Sequence, residues 1–86
     1  MEEWSEVSME IKKPVVFPNP FTGETTINFD NSNQTATIHV YNATGILVDE
    51  AIVNGTYTFG QNLTSGIYFA KINIGSKIET LKLVKE

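Results

Sequence analysis

A chain of 86 residues allows a single domain and buries only about 60% of the surface of its unfolded form. It contains no cysteine, which excludes a disulfide framework or a thiolate metal site as a supplement to the core. The net charge of −4 is unevenly spread. Residues 14 to 70 hold Glu24, Asp30, Asp49 and Glu50 but no lysine or arginine, whereas Lys71, Lys77, Lys82 and Lys85 all lie near the C-terminus. An acidic body without arginine argues against nucleic acid as a partner, because phosphate neutralisation needs clustered cations.

Taken in chain order, the sequence alternates with a period of two almost throughout. Met1-Glu-Glu-Trp4 is acidic where a secretory leader needs positive charge, so no leader is expected here, nor a membrane-spanning run. Val7, Met9 and Ile11 alternate with Glu6, Ser8 and Glu10, and Lys12-Lys13-Pro14 ends that run. Residues 1–13 read as a linker or loosely held segment, with an edge strand at 7–11 as the other reading, since lysine and proline discourage further pairing.

Residues 16–21, "VFPNPF", interrupt the pattern. Each proline fixes φ and lacks an N–H, and Asn19 ahead of Pro20 is pushed to an extended conformation. A stiff, extended segment that cannot be a central strand is expected, with Phe17 and Phe21 anchored in a core. Alternation then resumes at Ile27 and Phe29, at Ile38 and Val40, through the apolar run 46–53, at Tyr57 and Phe59, at Tyr68, Ala70, Ile72 and Ile74, and at Leu81 and Leu83.

Glycine and asparagine punctuate these runs at Gly23, at 30–33, at Asn42 to Gly45, at Asn54-Gly55, at Ser65-Gly66 and at Gly75. Asn54-Gly55 between two apolar runs is the best hairpin signal. No stretch has a helical period. About seven short strands with a turn every 8 to 12 residues predict an all-β fold, an Ig-like antiparallel β-sandwich.

Chemistry-bearing groups are sparse. His39 is the sole histidine and sits on the polar side of its strand, without a cysteine to activate. Asp49 and Glu50 are adjacent, so on a strand they face opposite ways and cannot share acid–base work. No phosphate loop or zinc spacing is present, and the oxygen-rich loop 30–33 lacks the closing glutamate of a calcium loop. Four Asn-x-Thr sequons, at Asn33, Asn42, Asn54 and Asn62, lie in expected turns. No catalysis, metal or cofactor is expected. Leu63-Thr-Ser-Gly66-Ile-Tyr68 resembles a tyrosine corner, in which a phenol bonds upstream backbone. The basic tail reads, on charge alone, as the solvated faces of two strands.

In order, "VFPNPFTGETTINF" (16–29), "IHVYNATGILV" (38–48), "LTSGIYFAKI" (63–72) and "TLKLVKE" (80–86) resemble the type A C-terminal sorting domain of type IX secretion cargo, a family of the Bacteroidetes. The resemblance covers 14–86 and implies a secretion signal with no catalysis of its own. Such a domain follows an unrelated cargo domain in the same chain. It is exported through the periplasm and read by the type IX outer-membrane translocon, and it is commonly removed by a sortase-like peptidase, so that the cargo is secreted or held at the cell surface. Carried over by position, the signal residues are Pro18, Asn19, Pro20, Gly23, Gly45, Leu63, Gly66, Tyr68, Lys82, Leu83, Val84 and Lys85. Ile46 stands where many members place a basic or polar residue, and Glu86 where many end in lysine. Cleavage is expected within 1–13. The alternative is an Ig-like or fibronectin-like accessory module that binds carbohydrate or protein through Tyr41 and Phe69. The last strand, 78–84, reads as an edge through which the domain could form a homodimer.

Overall fold

The computed structural model describes residues 14–29 and 34–86. The proposed strand at 7–11, Trp4 and the loop 30–33 lie outside the described residues. Seven strands follow in order: β1 (Val15–Phe17), β2 (Thr25–Asn28), β3 (Ala36–Asn42), β4 (Leu47–Val53), β5 (Thr56–Phe59), β6 (Gly66–Ile74) and β7 (Lys77–Lys85). They form two antiparallel sheets, β1-β2-β5 and β4-β3-β6-β7. The expected all-β sandwich is the observed fold.

Alternation builds the core. In the four-stranded sheet Ala36, Ile38 and Val40 pair with Ile74, Ile72 and Ala70, while Tyr68 pairs with Leu83. All of these are buried, since residues two apart share a face. Against them pack Ile27, Phe29 and Phe59 of the three-stranded side, with Phe21 closing one end. Each fully buried aliphatic side chain contributes roughly 1.5–3 kcal/mol, the main support available to a small core.

Two local expectations are corrected. Asn54-Gly55 is not a hairpin turn: β4 pairs with β3 and β5 pairs with β2, so this turn carries the chain from one sheet to the other. Gly55 has the positive φ of 89° that turn chemistry asks for. Turn chemistry reverses the chain but does not choose the edge that the next strand finds; with β5 on β2, Phe59 is buried in the core. The two-residue hairpin is at Gly75-Ser76, where Ile74 pairs with Lys77.

The hexamer "VFPNPF" is likewise not one rod. Residues 15–17 form a short edge strand on β2, and the chain then crosses to the other sheet, where Phe21 makes a parallel bridge to Lys85. Both the Phe17–Pro18 and the Asn19–Pro20 peptide bonds are cis. Phe21 is buried as expected, but Phe17 is 51% exposed, because the face it shares with Val15 points away from the core while Val16 points in.

Candidate functional site

The 18–24 connection, the Asn42–Gly45 turn, the 60–65 loop and the end of β7 all fall at one end of the sandwich. The registers require this: Phe17 lies by Thr26, Thr25 by Phe59, Asn42 by Tyr68, and Gly66 by Lys85. Four motifs far apart in sequence therefore converge, and every expected signal residue lies at that end. The start of β1, the Asn54-Gly55 connection and the Gly75-Ser76 hairpin lie at the other end.

Pro18, Asn19 and Pro20 are exposed. The Asn19 amide donates through Nδ2 to the Lys82 carbonyl at 2.9 Å and accepts through Oδ1 from the Val84 N–H at 3.0 Å. Phe21 continues along the same edge: its N–H donates to the Val84 carbonyl at 2.9 Å and its carbonyl accepts from the Glu86 N–H at 2.8 Å. A side chain with both a donor and an acceptor thus makes the two bonds that the backbone of one strand residue would make at that point of the edge. On the inner side the buried Thr25 hydroxyl donates to the Pro18 carbonyl at 2.7 Å.

The terminal motif divides by alternation. Lys82 is exposed and Val84 half-buried on the outer face, while Leu83 and Lys85 point inward. Lys85 is only 7% exposed. Its Nζ donates to the carbonyls of Gly23 at 2.7 Å and Gly60 at 2.6 Å and sits 5.2 Å from the Phe21 ring centre, within cation–π range. The tail is thus not wholly a solvated face. The apolar layer ends where backbone carbonyls can receive an ammonium, and the inward position there falls on a lysine. Charge patterning gives no sign of this, and it also missed Gly60. At Gly60 (φ 103°) an added Cβ would lie 2.7 Å from Phe21 Cε2. The available signal was an isolated glycine just past a strand.

Leu63 packs against the core, and its N–H donates to the Gly60 carbonyl at 3.1 Å. Gly66 opens β6. The Tyr68 hydroxyl donates to the Thr64 carbonyl at 2.7 Å with its ring buried, so the expected tyrosine corner is present. Gly45 (φ 91°) closes a turn organised by Asn42, whose Oδ1 accepts from the Thr44 N–H, the Thr44 hydroxyl and the Ile46 N–H. A shallow cleft of about 220 Å³ separates this turn from Thr64, Ser65 and Gly66.

The site brings together backbone groups, apolar side chains and two lysines. His39 stands elsewhere, on the outer face of the four-stranded sheet, with Nε2 3.5 Å from Glu50 Oε1. Tyr41 and Phe69 form a cross-strand pair on that same outer face, with Phe69 38% exposed. They do not pack between the sheets. Ile46, in the adjoining turn, is 61% exposed. A family model described as the secretion system C-terminal sorting domain matches residues 15–86. No curated protein matches the chain.

Proposed function

The chain belongs to the secretion system C-terminal sorting domain family, and on that premise we propose that the end of the sandwich where its four motifs meet is what the type IX machinery reads. Membership carries the function itself: a sorting signal that takes an attached upstream cargo across the outer membrane to the cell surface or beyond. The observation behind the assignment to one end is the convergence of Pro18 to Gly23, Gly45, Leu63 to Tyr68 and Lys82 to Lys85.

The residues divide by exposure. Lys82, Val84, Pro18, Pro20 and the Gly45 turn offer surface to a partner, while Leu63, Tyr68, Leu83 and Lys85 hold that surface in place. The domain catalyses no reaction. Residues 14–86 form the sorting unit and 1–13 the linker to cargo, where a sortase-like peptidase cuts. β1 begins at the end opposite the motifs. Self-pairing through β7 is confined to its first half, 78–82, because Asn19 and Phe21 already cover the remainder.

The test is export of a reporter fusion in a type IX-competent host. Deleting 80–86 abolishes export but also strips Leu83 from the core, so Lys82→Glu provides the second arm. This exposed substitution leaves the fold intact and lowers export severalfold. Export at the parental level in both variants would overturn the proposal.

A further inference from the structure

Asn19 has both of its amide atoms on the outward edge of β7. Lys82 O and Val84 N–H, the groups it engages, are the pair that one residue of a neighbouring strand would engage. Phe21 takes the next two edge groups with its backbone. The segment is pinned on its inner side as well, by the Thr25 hydroxyl on Pro18 and by the buried Phe21 ring. A two-residue slip of β7 keeps inward residues inward, so alternation alone does not forbid it. Such a slip would take the Lys82–Val84 pair away from Asn19 and Lys85 away from the Gly23 and Gly60 carbonyls.

We propose that the Pro18-Asn19-Pro20 motif is a clasp that sets the register of the terminal strand and covers the second half of its outward edge, with Asn19 a positioning residue for the signal. This rests on the reading above that β7 is part of what the machinery recognises. Asn19 acts through Lys82 and Val84, holding Lys82 on the outer face beside Phe69.

The test reads single amides by hydrogen exchange on the whole chain, together with export of reporter fusions. Among the described residues the Val84 N–H has Asn19 as its acceptor, so its exchange reports the clasp. Asn19→Ala speeds exchange at Val84 about tenfold, leaves the central amides of β6 protected, and lowers export. Asn19→Asp, which keeps the acceptor and loses the donor, falls between Ala and the parent on both readouts. Unchanged exchange at Val84 would overturn the clasp. Faster exchange at Val84 with parental export would overturn the positioning role, and so would loss of β6 protection, which would mean that Asn19 supports the whole fold. Failure of the underlying reading appears separately, as export that survives both Lys82→Glu and removal of 80–86.

Discussion

Lys85 donates from Nζ to the carbonyl oxygen of Gly60 at 2.6 Å, which ties the end of the last strand to the loop leaving β5. That carbonyl also accepts from the Leu63 N–H, so one backbone oxygen joins the 60–65 loop to the end of β7, and the same ammonium reaches the 18–24 connection at the Gly23 carbonyl. The terminal lysines therefore do different work although the sequence presents them as alike. Lys82 meets solvent and Lys85 closes the sandwich.

Replacing them separates these roles. Lys85→Ala strands the Gly23 carbonyl and opens space beside Phe21, and lowers stability by about 1.5–3 kcal/mol, the range for hydrogen bonds to a charged group. Lys82→Ala changes stability by less than about 0.5 kcal/mol. Urea unfolding of the two variants measures the difference, and equal effects would contradict the division.

Two glycines with positive φ give a second contrast. Gly45 has nothing within 4 Å of an added Cβ, so Gly45→Ala carries only the left-handed backbone cost of about 1–2 kcal/mol. At Gly60 the same Cβ meets the fully buried Phe21 ring at 2.7 Å, which adds an overpacking cost of about 1–3 kcal/mol. Gly60→Ala is therefore the more damaging in thermal unfolding, and it also perturbs the Phe21 ring signals in NMR spectra.

The tyrosine corner is tested by removing one oxygen. Tyr68→Phe keeps the buried ring and loses the bond to the Thr64 carbonyl, and lowers stability by about 1 kcal/mol. Faster exchange of amides in the 60–65 loop accompanies it, because that loop loses its tie to β6.

Alkaline pH weakens another tie between the sheets. Tyr57 donates to Asp49 Oδ2 at 3.0 Å, joining β5 to β4. Burial first, and then the hydrogen bond and the charge of Asp49, raise the phenol above its ordinary value of 10.0. The folded state thus holds this proton more tightly than the unfolded chain does. The resulting stabilisation is fully present below the unfolded pKa and is lost as pH rises through the folded one. Stability measured at about pH 9 and about pH 11 falls more in the parent than in Tyr57→Phe; an equal fall in both would contradict this assignment.

Much of the architecture was legible because burial on one face leaves a period-two mark. Ile38, Val40, Ala70, Ile72 and Leu83 announced their strands and their inward side, and Tyr68 announced its corner. Local pattern failed where partners were distant. Asn54-Gly55 has the chemistry of a hairpin, yet its two strands lie in different sheets. Phe17 and Phe21 look equivalent flanking Pro-Asn-Pro, yet only Phe21 is buried.

The sequence by itself determined the class of fold, the inward face of most strands and, through four motifs in order, the family, since these depend on neighbours within a few residues or on a pattern read along the chain. Only the tertiary structure decided that the motifs share one end, that Asn19 stands in for a strand residue beside Val84, and that Lys85, on the side of Leu83 by alternation, finds the Gly23 and Gly60 carbonyls. These depend on hydrogen bonds between residues distant in the chain. Such bonds come from the folding of one sheet over the other, and no local propensity encodes them.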